Sequence, residues 1–357
     1  MTKNAKRNNA VDVIRGLAIL MVIAGHTLTG STSAYDKSPL NNIIWSLQMP
    51  LFMLISGYIT KFSKPVDSGK SYLKFIQKRT LTYILPWVVW SFGISGVIFN
   101  KNGTLNIFER IQYLIWNLDT GYWFLFVLWV ICMIFGTAQF ISGKLFKNIQ
   151  KPIVVSLFSV LLSLPLLVIA KFAGISFLGI KLILYYLPFF FLGYLFGAFG
   201  DKMGQMKRYN LLRDVVIGLA VIGYIIIMSK YNIFLLGESV KEILIRISAS
   251  ISGCVLVISF ACFSMNIVGE KVKRFFAWCG IHSLEFYLVH YGCLSIIKIS
   301  PSPLSGSYQG IALFFANYIL TFVLSALIVN ILNHNPLTNF LLFGKVPVKK
   351  NKEIPLS

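Results

Sequence analysis

The chain has 357 residues and a formal net charge of +21; 56% of its residues are hydrophobic and only 13% charged, and its mean hydropathy is +0.74. Soluble domains carry about a quarter charged residues, so a soluble globular chain is excluded, and apolar windows recur along the whole length with no stretch left for a separate soluble domain. Nucleic acid is excluded as the reason for the charge, because the basic residues lie between the apolar runs and are not gathered on a polar domain.

A helix needs about 20 residues to cross a hydrocarbon core of ~30 Å. In chain order the sequence predicts ten such helices, over 11–29, 43–61, 80–99, 121–140, 153–170, 181–200, 214–230, 247–266, 281–299 and 309–332. The expected fold is all-α, a polytopic membrane helix bundle over 11–332, preceded by a short segment 1–10 and followed by a basic tail 333–357. The opening "MTKNAKRNNA" and the run after it resemble a signal peptide only superficially. The run is too long for one, lacks a small-residue cleavage pattern and holds Arg15 and His26. With a cytoplasmic N-terminus, 23 of the 33 Lys and Arg fall in inside segments and nine outside, while Arg15 lies within the first span. Positive residues stay inside, so both termini are expected in the cytoplasm, and the excess charge reports topology and anionic lipid. Cys132, Cys254, Cys262, Cys279 and Cys293 lie in or beside apolar spans without metal-ligand spacing and read as small buried hydrophobes. The cluster "SPSPLSGS" at 300–307 marks a surface turn, and no internal repeat of the kind many transporters carry is visible.

The first span, "VDVIRGLAILMVIAGH" over 11–26, holds a cation and an imidazole in an otherwise apolar run. Eleven positions separate Arg15 from His26, which on a helix is about 20° beyond three full turns and a rise of about 16 Å. The two share one face. Asp12 lies three residues before Arg15 on that face, within reach of a bidentate contact to the guanidinium. Each residue alone admits a plain reading, since an arginine near a helix end can snorkel to headgroups and a histidine can bond a neighbouring helix. Both on one face, with Asp12 and with Gly16 and Gly25 permitting close helix approach, point to a site, because ionisable groups inside a membrane are costly and usually line one.

These residues resemble the first-helix signature of the membrane acyltransferase 3 family, an Asp-x-x-Arg-Gly followed by an Arg-x10-His spacing that falls here on Arg15 and His26. "MPLFMLISGYI" at 49–59 is similar to that family's second helix, with Ser56, Gly57 and Tyr58 as its Ser-Gly-Tyr element. "KRTLTYILPW" at 78–87 resembles the basic entry to the third helix and "GYWFLFVLW" at 121–129 the Trp-Phe-Leu element, while "YYLPFFFLGYLFG" at 185–197 and "SLEFYLVHY" at 283–291 are similar to later helices. The likeness covers nearly the whole chain, and the short loop between the first two helices is nearest to the fucose 4-O-acetylase branch. One departure stands out: members often carry a further arginine between the basic pair and the proline of the third helix, whereas here only Thr80, Thr82 and Tyr83 are polar between Arg79 and Pro86. With about 25 residues after the last predicted span, no appended extracellular SGNH-type domain is expected.

The resemblance implies acyl transfer, most simply of acetyl, from a cytoplasmic acyl-coenzyme A to a sugar hydroxyl of a cell-surface polysaccharide or its lipid-linked precursor. It implies acyl-CoA as donor substrate, no tightly bound cofactor and a place in the cell membrane. The residues suit that chemistry: a neutral imidazole can take a hydroxyl proton near neutral pH, which makes His26 the candidate base. Arg15 is the candidate holder of a coenzyme A phosphate, with the pantetheine arm running inward toward His26. Arg15 could instead stabilise charge on the thioester oxygen if the helix bends. Lys78 and Arg79 either extend the phosphate site or simply obey the positive-inside rule. Ser56 donates to substrate or back-bonds its own helix, Tyr58 belongs to the same element, and Trp123 stacks on a sugar or anchors at the interface. Glu285 and His290, about 140° apart on a helix, do not share a face. Both are candidate substrate contacts, and Glu285 could orient His26 from a neighbouring helix. His282 and His334 lie near helix ends, and no His and carboxylate cluster suggests a metal site. The alternative function is export of a polysaccharide or lipid-linked sugar, against which stand the lack of repeats and of several mid-membrane acidic residues.

Overall fold

The computed structural model describes residues 9–94, 106–118, 121–146 and 152–345. The described residues are helical apart from turns and one isolated bridge between Ser33 and Leu304. They form α1 (Asn9–Ser31), α2 (Pro39–Tyr58), α3 (Gly69–Arg79), α4 (Ile107–Trp116), α5 (Trp123–Leu145), α6 (Pro152–Ala173), α7 (Ile180–Gly204), α8 (Tyr209–Lys230), α9 (Val240–Ser264), α10 (Glu270–Ile281), α11 (Ser283–Val289), α12 (Tyr308–Asn333) and α13 (Pro336–Phe343). Among the described residues, eight helices are long and apolar enough to cross a membrane: α1, α2 continued to Phe62, α5, α6, α7 with the turn from Phe177, α8, α9 and α12. The all-α, polytopic architecture expected from the apolar pattern is therefore present.

Two of the ten expected spans take another form. The segment expected at 80–99 continues α3 through wide i→i+5 turns at Thr80–Ile84 and Val89–Ile94, with a short helix Leu85–Val88 between them. Pro86 has no N–H and its ring crowds the carbonyl four residues back, and a wide turn relieves that crowding; residues 95–99 lie outside the described residues. The segment expected at 281–299 is broken. Helix α10 ends at Ile281, His282 leaves the helical region at φ −98° and ψ 17°, α11 runs only to Val289, and a tight turn follows at His290–Cys293. Helical structure then stops until Tyr308, across a stretch holding Pro301 and Pro303. Of the tail expected at 333–357, the described part contains α13, and residues 346–357 lie outside the described residues, as do 1–8.

The described residues fall into two compact units. The first comprises 9–64, 152–157 and 182–329. Its centre is α1, and its tightest contact is with α10, where a Cβ on Gly16 would collide with the carbonyl oxygen of Phe276 and a Cβ on Gly280 with that of Asp12. The two glycines let the backbones touch, which is how helices gain contact where lipid offers no hydrophobic drive between them. On its other side α1 packs antiparallel against α2, with Gly25 facing Ile44 and Gln48. Helix α2 in turn meets α7 through Gly57 and Gly193, each positioned against the other helix's backbone carbonyls, Phe190 O and Leu54 O. Beyond α1, the irregular run after Cys293 is tied down by Asn317 of α12, which donates to Ile297 O and Ser31 Oγ and accepts from Ile297 N.

The second unit comprises 65–94, 106–118, 121–146, 158–181 and 330–345. Helix α3 starts at a reciprocal Ser68 and Ser71 cap and lies along α5, with Tyr72 Oη 2.9 Å from Thr137 Oγ1 and Trp129 Nε1 donating to Thr80 Oγ1 at 3.1 Å. Trp90 donates to the carbonyl of Leu342 in α13 at 2.9 Å.

Candidate active site

The first unit gathers the ionisable face of α1. Gly25, one residue before His26, rests on α2, and Gly16, one residue after Arg15, rests on α10, so the Arg15 and His26 face lies between these two contacts. Both side chains are partly exposed in a helix whose other residues on that face, Ile19 and Val22, are buried. Counted from the contact of Gly25 with Ile44 and Gln48, Arg15 and Ser56 both lie on the order of 15 Å away in the same direction along their helices. Ser56 therefore stands at the depth of Arg15, not of His26.

His26 sits among aromatic rings brought in by the turn after α11. Its Nε2 is 3.1 Å from Tyr291 Oη. The ring centroid of His26 is 4.8 Å from that of Tyr291 and 5.3 Å from that of His290, and the last two rings are 4.5 Å apart. His290 is fully buried, and its Nδ1 lies 3.0 Å from the carbonyl oxygen of Phe286. A carbonyl only accepts, so Nδ1 carries the proton; in the neutral ring Nε2 is then a lone-pair acceptor. That Nε2 is buried with no hydrogen-bond partner.

Glu285, 1% exposed, sits 3.1 Å from Nδ1 of His282 through its Oε1. His290, at the start of the turn after α11, brings its ring beside His26. Asp12 is buried, with its backbone carbonyl against Gly280. Tyr58 packs its ring on Phe62 and Phe196, at centroid distances of 6.0 and 5.9 Å.

In the second unit, Arg79 ends α3 with its guanidinium over the rings of Phe75 and Tyr83, at 5.4 and 5.9 Å, and donates to Tyr83 Oη at 3.2 Å. Stacking between two aromatic faces holds a weakly hydrated guanidinium in place. Lys78 beside it is exposed. Trp123 opens α5, partly exposed, with its ring edge-on to Phe124 at 6.0 Å.

The family described as "Acyltransferase domain" matches residues 8–330. This chain belongs to the acyltransferase 3 family. It is a multi-pass membrane protein and an O-acyltransferase. The acyltransferase is also similar to two proteins named nodulation protein NolL. With the one from Mesorhizobium japonicum it shares 28% identity over 302 residues, 79% of this chain and 75% of that protein. With the one from Sinorhizobium fredii it shares 26% identity over 216 residues, 58% of this chain and 53% of that protein. No solved structure matches the acyltransferase.

Sequence reasoning missed Tyr291 as the partner of His26. The signal was present in "VHYGC" at 289–293, a phenol beside an already chosen histidine. What the pattern did not carry is the tight turn His290–Cys293, which ends the helical spacing and lets two adjacent rings both face His26 in the acyltransferase.

Proposed function

We propose that the acyltransferase moves an acyl group, acetyl in the simplest case, from acyl-CoA to a sugar hydroxyl of a cell-surface polysaccharide or its lipid-linked precursor, in the cell membrane, with both termini in the cytoplasm. The observation that carries this reading is the contact of His26 Nε2 with Tyr291 Oη beside the buried His290. When Nε2–H donates to the phenol oxygen, the lone pair of His26 is left on Nδ1, ready for the acceptor hydroxyl. Tyr291 then acts as the positioning group that sets ring and tautomer.

In the proposed reaction His26 Nδ1 takes the hydroxyl proton as the oxygen attacks the thioester carbonyl. Collapse of the tetrahedral intermediate breaks the carbon–sulfur bond, and the imidazolium returns its proton to the departing thiolate, giving the sugar ester and free coenzyme A. The unpaired Nε2 of His290 supplies a hydrogen-bond acceptor for a second acceptor hydroxyl. Arg15, about 16 Å along the helix, matches the length of an extended pantetheine arm and takes a phosphate at its far end. Ser56 lies at the donor's depth on α2; in the second unit, Lys78 and Arg79 are cations suited to a phosphate and Trp123 is a ring suited to a sugar.

The test is transfer in the absence of any compartment. Protein purified in detergent, given radiolabelled acetyl-CoA and the unacylated glycan, should place label on the glycan. Absence of label with active, glycan-exporting vesicles would overturn the reading and favour export.

A further inference from the structure

Buried side-chain amides in the first unit are not treated alike. Asn317, fully buried, bonds through both amide atoms to Ile297 and through Nδ2 also to Ser31. Asn42 donates to Tyr231 O at 3.2 Å and accepts from Ile233 N at 2.6 Å. Its neighbour Asn41 is 0% exposed, yet neither its Nδ2 nor its Oδ1 has a partner. Gln48, 5% exposed, buries Oε1 without one. Burying a polar group unpaired is unfavourable, so two such amides on one helix call for an occupant.

Asn41 and Gln48 are seven residues apart, which leaves them about 20° short of two full turns and about 10.5 Å apart along α2. They share the face that meets α1. Ile44, between them, and Gln48 are the side chains against Gly25: a Cβ there would stand 2.9 Å from Ile44 Cγ2 and 3.3 Å from Gln48 Oε1. The unpaired carbonyl of Gln48 thus lies against the residue that precedes His26. Because the two helices run antiparallel, Asn41 lies farther toward the Ser31 end of α1, away from Arg15.

We infer that Asn41 and Gln48 form a subsite for the hydroxyl groups of a polyhydroxylated acceptor, running from the Ser31 end of α1 down to His26. The inference rests on the acyl-transfer reading above and adds which residues hold the sugar. A hydroxyl both donates and accepts; Asn41 offers the two N–H donors of Nδ2 and the acceptor Oδ1, and Gln48 Oε1 offers an acceptor. The donor end of the helix pair, with Arg15 and Ser56, is on the order of 15 Å away from this row. Donor and acceptor therefore use opposite ends of the same helix hairpin and meet at His26.

The experiment uses full-length protein in detergent, [14C]acetyl-CoA as donor and, as acceptor, unacylated glycan isolated from cells that lack the protein. Asn41→Leu and Gln48→Met keep side-chain volume while removing the amides. Each should raise the KM for glycan about tenfold, the loss of one well-made hydrogen bond, leave the KM for acetyl-CoA unchanged and leave the thermal midpoint at or above that of the wild type. An unchanged glycan KM in both variants would overturn the subsite. So would a lowered thermal midpoint with equal shifts of both KM values, which would mark the amides as structural. Wild-type protein that transfers nothing to this glycan would instead overturn the acyl-transfer reading beneath it.

Discussion

Replacing Gly280 by alanine probes how the fold sets the spacing at His26. A Cβ at position 280 would stand 2.7 Å from Asp12 C and 2.9 Å from Gly16 N, with Asp12 O nearer still. Ordinary contacts of carbon lie at about 3.5–4.0 Å, so α10 must retreat from α1 by on the order of 1 Å, and both neighbours are backbone that cannot rotate away. Overpacking of this kind costs about 1–3 kcal/mol. His290 and Tyr291 follow α10 through the seven residues of α11, so the retreat is passed to the rings around His26, and a misplacement of about 1 Å can cost roughly 100-fold in rate. The expected result is a kcat lowered by about 10- to 100-fold, together with a lower thermal midpoint in detergent. Gly218→Ala is the control: nothing lies within 4 Å of its added Cβ, and alanine favours a helix over glycine by about 1 kcal/mol. A Gly280→Ala protein with wild-type kcat and midpoint would refute the claim that backbone contact between α1 and α10 positions the site.

Two further outcomes are expected. Tyr291→Phe keeps the ring stack and removes the phenol at His26 Nε2; kcat should fall about tenfold, the worth of one hydrogen bond, with the KM for acetyl-CoA unmoved, and wild-type kcat would remove Tyr291 from its positioning role. Arg15→Lys keeps the charge but loses the planar fork, so the KM for acetyl-CoA should rise at least fivefold while that for dephospho or truncated donors stays close to wild type; equal shifts for all donors would argue against a phosphate at Arg15.

The apolar windows made the helical, membrane-spanning architecture legible, and Arg15 and His26 on one face, with Asp12, Gly16 and Gly25, pointed to the side of α1 where the structure sets His290 and Tyr291 beside His26. The glycines marked for close approach do that work, Gly16 against α10 and Gly25 against α2. Less legible was the run 281–299. Its apolar content satisfies a span, but His282 breaks the helix and the tight turn at His290 decides which side chains converge; that turn is tied to α12 by Thr321 Oγ1 donating to Cys293 O at 2.9 Å. Asn41 and Gln48 were in plain view as polar residues in an apolar helix. Only packing separates them from Asn42, which has partners, and Asn317, which has more.

The central claim is that the imidazole on the first helix is the base for acyl transfer. Its most direct measurement is acetyl transfer by His26→Ala protein present in the membrane at the wild-type level. Loss of a positioned base lowers rate by about 10²- to 10⁴-fold, so label on the glycan should fall to near background while the helix stays inserted. Transfer at the wild-type rate by that variant would contradict the account.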